Sequence, residues 1–350
     1  MKQRISSMIM IAAVALAATG RAADDGSKPA DTSKPVKVFI LMGQSNMVGM
    51  GRIAGAEGSL DNAVKAKKKY PYLVDGAGAW TARQDVRFVR FMQGRGMMVN
   101  DWSGIKGGTI GPEFGIAQFV GNGIDAPVML LKTCIGNRSL GWDYLPPGSE
   151  RLVEDGKVYA GYKDKPDSWA ADPAKGAATE PPPWLDKNGN PINWYAGLQY
   201  DEELAFVKTA LAELDKYYPG ATKAEIAGFF FWQGEKDGGN PVHAARYETN
   251  LVQFIKAVRK DLNCPDAKFV LATMGEAVKG SANKVLEGQL AVDGTSGKHL
   301  EFKGNVATVY TNPMAQGGGG NGHYGGNAEV YMDVGEAMGK AMVELLKNGK

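Results

Sequence analysis

Cysteine and histidine are scarce in this chain. Its 350 residues hold two Cys and three His, so widely scattered that no metal-ligand spacing appears. Two thiols cannot frame a disulfide scaffold, so stability has to come from a buried core, for which the length is ample. A charge surplus is missing too, with 40 Lys and Arg against 38 Asp and Glu. That excludes nucleic acid and anionic membrane as expected partners. Long apolar runs are absent beyond the first 23 residues, and no repeat of solenoid length is visible. The Gly-rich stretch "GGGGNGHYGG" lacks the strand and lysine context of a phosphate loop, so no cofactor is expected. With 44% hydrophobic and 22% charged residues, an ordinary globular domain remains.

The first residues stand apart. "MKQR" is a basic start, "ISSMIMIAAVALAA" a short apolar core, and "TGRAA" offers small residues for cleavage near Ala22 or Ala23. Residues 1–23 read as a signal peptide, too short and too poorly flanked for a stable span. No Cys follows that core, which argues against a lipid anchor. The expectation is a secreted or periplasmic protein with no membrane insertion after cleavage. Removing Lys2, Arg4 and Arg21 turns the formal net charge from +2 to −1. Residues 24–35, "DDGSKPADTSKP", read as a disordered polar linker before one domain over 36–350.

In that domain, apolar strand-like runs alternate with helical patterns. Strands are expected at 37–42, 128–133, 226–232, 268–274 and 305–310, and helices at 113–121, 201–217, 244–262 and 328–347. "VRFVRFMQGRGMMVNDW" reads as an extra hairpin. The alternation predicts an α/β fold: a three-layer, doubly wound, mostly parallel sheet with long loop insertions. Residues 141–200 break the pattern. They are Pro-rich, barely periodic, and carry four of the seven Trp: Trp142, Trp169, Trp184 and Trp194. Loops this long are usually functional or disordered, and the aromatics argue against disorder. Either these Trp pack as a structural cap, or some of them line a cleft on the catalytic edge.

"GQSNMVG", residues 43–49, follows the apolar strand "VKVFILM". A Ser after such a strand is turn chemistry unless other strands bring it a base and an oxyanion site. Ligands of open parallel sheets bind beyond the strands' carboxyl ends, so the residues following each strand matter. Those residues are "GQSN", "CIGNRSLGW", "QGEKD" and a loop holding His323. The set suits acyl transfer. Ser45 would attack a carbonyl as His323 takes its proton, and a carboxylate would hold the imidazole. The backbone N–H groups of Ser45 and Gly136, with the Gln233 amide, would donate to the oxyanion, and Gln44, Asn137 and Trp142 would border the substrate. Three carboxylates compete for the third role: Asp237 lies further into its loop, Glu113 fits a helix N-terminus, and Glu235 is favoured. His243, shortly after the Gln-Gly-Glu turn, reads as a capping or surface residue, with the border of the pocket as the alternative, and His299 should lie on the opposite edge. Cys134 and Cys264 are expected at opposite edges and unpaired. The sequence is not G-x-S-x-G, which excludes an α/β-hydrolase elbow.

"GQSNM", "GPEFG", "GNRSLGW", "WQGEKD" and "GHYG", in this order, resemble the sialate O-acetylesterase-like carbohydrate esterases, a branch of the SGNH hydrolases. The resemblance runs from about residue 36 to 347. It implies a flavodoxin-like SGNH fold and a metal-independent, secreted esterase that removes acetyl groups from sugars such as acetylated xylan or sialic acid. By position, Ser45 matches the family nucleophile, His323 the base and Glu235 the carboxylate of the Gln-Gly-Glu block. Gly136 and Gln233 match oxyanion-side positions. One departure stands out: the family often carries Asp three residues before the His, where this chain has Gly320. Two other readings remain open, a non-catalytic glycan-binding protein on the same fold and an esterase of lipids or thioesters.

Overall fold

The structure, a computed structural model, describes residues 26–315 and 320–348; the expected signal peptide lies outside the described residues. Residues 26–35 of the linker form no helix or strand and are held to the domain at two points. The Gly26 carbonyl accepts the Gln84 N–H, and Lys34 pairs with Asp125 at 3.0 Å.

Seven strands form the main sheet. They are β1 (Val36–Gly43), β2 (Ala82–Met92), β3 (Gly96–Gly104), β4 (Val128–Lys132), β5 (Ala224–Trp232), β6 (Lys268–Ala272) and β7 (Val306–Val309). Their order is β7-β6-β5-β1-β4-β2-β3. Every pairing is parallel except the β2–β3 hairpin, the one anticipated from the sequence. Five helices cover the faces: α1 (Glu113–Gly123), α2 (Leu198–Ala212), α3 (Pro241–Asp261), α4 (Lys284–Ala291) and α5 (Ala328–Asn348). The result is a three-layer, doubly wound, mostly parallel sheet, as the strand–helix alternation predicts.

Strand β1 shows why its sequence is apolar from Val38 to Met42. Val38, Ile40 and Met42 point into the core beneath α2, α3 and α4, while Phe39 and Leu41 point into the core beneath α1 and α5. A strand buried on both faces has no polar positions to alternate. Each such side chain contributes about 1.5–3 kcal/mol of burial.

Helix α4 was not anticipated. It is eight residues long and holds Gly288, against which α3 packs so closely that a Cβ would lie 2.9 Å from the Glu248 nitrogen. The insertion also has structure of its own. Three short strands, Leu152–Glu154, Lys157–Tyr159 and Ser168–Ala170, form a separate sheet around a small core of Leu145, Val158, Ala160, Trp169 and Ala196. Trp169 is therefore packing.

From β1 the chain crosses to the β2–β4 side, then returns past β1 to build β5, β6 and β7. The switch brings together the carboxyl ends of β1, β4 and β5, which open one crevice. Cys134 follows β4 at this edge; Cys264 precedes β6 at the other; both are free. Among the described residues, no helix is long and apolar enough to cross a membrane.

Candidate active site

Gly43 ends β1 at φ 137°, a conformation that favours Gly, and a Cβ there would meet the Trp232 carbonyl oxygen at 2.3 Å. The chain then turns sharply into a one-turn helix, Ser45–Val48, that starts with Ser45 itself. Ser45 is half-buried between two buried amides, Gln44 and Asn46. Its N–H, at the helix start, makes no intrahelical bond.

The loop after β4 passes directly beside it: a Cβ on Gly136 would lie 3.5 Å from the Ser45 Cβ. Asn137 is in the left-handed region at φ 58°. Such strain in a non-Gly residue persists only where surroundings enforce it, often at functional sites.

Strand β5 delivers Glu235, which is buried. Its Oε1 accepts Asn46 Nδ2 at 2.6 Å, and its Oε2 accepts Gln44 Nε2 in a short contact. The carboxyl thus grips both amides flanking Ser45. Burial, then the nearby Glu276, push its pKa up to about 7, against the lowering effect of those hydrogen bonds.

His323 comes from the loop before α5, with φ 50°, followed by Tyr324 at φ 54°. Two consecutive left-handed non-Gly residues are costly, and packing holds them: Tyr324 is fully buried and stacks on Trp232 at 6.0 Å. Tyr331 OH reaches the His323 carbonyl at 3.5 Å. Among the described residues the imidazole makes no hydrogen bond, and the expected contact with Glu235 is not formed.

Ser45, His323, Glu235, Gln44, Gly136, Asn137 and Trp142 all line one cleft of about 800 Å³. Gln233 does not. It is fully buried, and both its amide hydrogens are committed, to the Arg138 carbonyl at 2.8 Å and Asp237 Oδ2 at 2.6 Å. Its expected oxyanion role is corrected to a brace. Asp237 extends the brace by accepting the Leu140 and Gly141 N–H groups at 2.8 and 2.7 Å. "WQGEKD" thereby fixes both the serine turn and "GNRSLGW". Glu113 pairs with Lys132 at 2.7 Å, away from the cleft lining.

The far wall was legible only in part. Trp184, Pro166, Asp167 and Ser168 enter it from the insertion, and His243 from the first turn of α3. Asn240 caps that helix by accepting the Val242 and His243 N–H groups. His243 Nε2 stands 3.1 Å from Asp167 Oδ1. Burial alone would lower its pKa; Asp167, then Asp237 and Asp143, outweigh this and raise it. Capping position hinted at His243; nothing in sequence pointed to Asp167, which reaches the wall by loop folding. His299 pairs with Glu248, away from the cleft. Among the described residues, no group of three His, Cys, Asp or Glu is arranged to hold a metal.

Residues 186–344 match a protein-family model described as carbohydrate esterase, sialic acid-specific acetylesterase. No curated protein matches the chain in sequence. Solved structures with a similar fold include a protein from Arabidopsis thaliana, 17% identical, covering 88% of this chain and 98% of that one at TM-score 0.48. A second is a carbohydrate acetylesterase from Xanthomonas citri, 12% identical, covering 87% of this chain and 55% of that one at TM-score 0.47. A third is NanS, 14% identical, covering 69% of this chain and 68% of that one at TM-score 0.38.

Proposed function

We propose that this chain, whose residues 186–344 match a carbohydrate esterase, sialic acid-specific acetylesterase family model, hydrolyses acetyl esters on sugars through an acyl-enzyme on Ser45. The observation that carries the reading is the convergence of Ser45, His323, Gly136 and Asn137 on one cleft at the sheet's switch point. Ser45 Oγ attacks the acetyl carbonyl as His323 takes its proton. The N–H groups of Ser45 and Gly136 and the Asn137 amide face the developing oxyanion, where one donor is worth about 3–4 kcal/mol. Collapse breaks the bond to the sugar oxygen, which leaves with the proton from His323. Water, activated by the same imidazole, then releases acetate and restores Ser45. Glu235 serves the serine side, holding Gln44 and Asn46 so that Ser45 projects into the cleft. The signal-like residues 1–23 support action outside the cytoplasm, on acetylated polysaccharide or O-acetylated sialic acid.

Acetate release from acetylated xylan, O-acetylated sialic acids and a small aryl acetate tests this reading. Turnover of the aryl acetate and of at least one sugar ester is expected. No acetate from any of them would leave a glycan-binding protein.

Trp142 supports a carbohydrate substrate. It lines the cleft with Trp184, their rings 5.6 Å apart and edge to face, and indoles stack on the C–H faces of sugar rings. Aromatic contacts add about 0.5–1.5 kcal/mol beyond area burial. Trp142→Ala should therefore raise KM for an acetylated sugar about 3- to 10-fold and leave kcat on aryl acetate unchanged. Steady-state kinetics on the two substrates checks it, and equal effects on both would remove the platform.

A further inference from the structure

Glu203, a fully buried carboxyl on α2, takes no part in the reaction just described. Its Oε2 accepts the Thr133 hydroxyl at 2.8 Å; its Oε1 accepts Gln199 Nε2 and lies 2.6 Å from the Tyr144 hydroxyl. The Tyr144 hydroxyl in turn receives the Gly43 N–H at 3.1 Å and lies 2.7 Å from the Gly43 carbonyl oxygen. Gly43 closes β1 two residues before Ser45, and Thr133 follows β4 three residues before Gly136. One carboxyl therefore ties together the strand exits that carry the nucleophile and the oxyanion glycine.

Counting protons fixes its state. The Tyr144 hydroxyl has one hydrogen but two oxygens within bonding distance. If Glu203 were ionised, that hydrogen would serve the carboxylate, and the Gly43 carbonyl would face a phenol lone pair at 2.7 Å. If Glu203 is the neutral acid, its O–H donates to Tyr144 and Tyr144 donates to Gly43. The phenol oxygen's second lone pair takes the Gly43 N–H, and the polar atoms of Tyr144 and Gly43 that meet here are all satisfied. Desolvation favours the same form, pushing the carboxyl up to about 7 against the hydrogen bonds from Tyr144, Gln199 and Thr133. The ionisable groups facing it are Tyr144, Cys134 and Arg138. Burial raises the first two, Cys134 to about 12, so both stay neutral, while Arg138 favours the ionised form.

We propose that Glu203 is a positioning residue: as the neutral acid it locks the Ser45 turn against the Gly136 loop through Tyr144 and Thr133. The proposal rests on the reading of Ser45 as nucleophile, so its test includes a measurement that needs no activity. Above neutrality, ionisation reverses the Tyr144 hydrogen bond and loosens the Gly43 turn.

The experiment compares wild type, Glu203→Gln and Tyr144→Phe, the Gln amide standing in for the acid's O–H. On aryl acetate between about pH 5 and 9, wild-type kcat should fall several-fold above about pH 7. Glu203→Gln should keep the plateau and lose that fall. Tyr144→Phe should lower kcat about 10-fold at all pH with KM within twofold. Hydrogen exchange read on peptides covering 41–48 and 133–140, corrected for intrinsic rates, should show both segments losing protection above pH 7 in wild type but not in Glu203→Gln. An alkaline fall that persists in Glu203→Gln assigns it to another group, such as Glu235, and overturns the proposal. Exchange that is independent of pH in wild type overturns it as well, whether or not the protein hydrolyses esters.

Discussion

Ser45→Ala should fold normally and lose at least about 10⁴-fold in kcat on every acetyl ester that wild type cleaves. The size follows from the division of labour at the cleft. Ser45 supplies the attacking oxygen; of the two other serines that line the cleft, Ser139 is buried with its hydroxyl on Asp143 Oδ2 at 3.0 Å, and Ser168 comes from the insertion. What remains in the variant is the oxyanion site and substrate binding, which alone give about 10³–10⁴ over water. Folding should survive because the Ser45 side chain is half-buried and makes no hydrogen bond among the described residues, while the turn is held by its neighbours. Gln44 and Asn46 are gripped by Glu235, and Gly43 by Tyr144. Rates on aryl acetate, with melting temperature alongside, check it. A variant keeping a tenth of wild-type kcat would return Ser45 to turn chemistry and move the nucleophile elsewhere.

The sheet was legible because burial on both faces leaves its mark residue by residue: 38–42 and 226–232 are apolar throughout, and both belong to central strands. The positions that follow them were legible for the same reason, since a parallel sheet gathers its carboxyl ends at one edge. What the sequence could not carry is set by side-chain commitment and by long loops. Gln233 sits where an oxyanion donor would be expected, yet its amide is spent on Arg138 and Asp237, a fact of packing rather than of spacing. Asp167 comes from an insertion whose short strands have no clear period, so its arrival at the cleft had no local signal, whereas Trp184 was one of the four Trp named as candidates. Trp169 carried the same signal as Trp142 and turned out to fill the insertion's own core. Glu203 is silent in sequence too, being one acidic residue on an otherwise unremarkable helix.

Glu235 is the residue whose two possible roles predict different numbers. As a triad member it would orient His323, and neutralising it to Gln would cost about 10⁴, the loss seen when a serine-protease triad carboxylate becomes an amide. As a brace for the nucleophile turn, its substitution is felt through hydrogen-bond geometry. Asn46 is held in its amide orientation by the Tyr331 hydroxyl, which lies 3.3 Å from its Oδ1, nearer than the His323 carbonyl at 3.5 Å. In Glu235→Gln the new carbonyl must therefore face Asn46, and the new NH₂ faces the NH₂ of Gln44. Gln44 can relieve this by reversing its own amide, whose Oε1 is buried without a partner. The reversal leaves a buried NH₂ in that place, at a cost of about 1–3 kcal/mol. The expected result is a fall in kcat of about 10- to 100-fold, with KM nearly unchanged. Glu235→Ala, which strands both amides, should lose more, and Gln should partly rescue it. The pH dependence of stability gives a second check. The wild-type carboxyl is raised to about 7 by burial and by Glu276, so its contribution is fully present below about pH 4.5 and is lost as pH rises through 7. Glu235→Gln removes that slope, and its melting temperature should gain on wild type between pH 5 and 8. A 10⁴-fold loss at unchanged melting temperature would instead assign the carboxylate's charge to His323. A loss of 10- to 100-fold, with the flattened stability profile, fits a carboxyl that acts by holding Gln44 and Asn46 around the nucleophile.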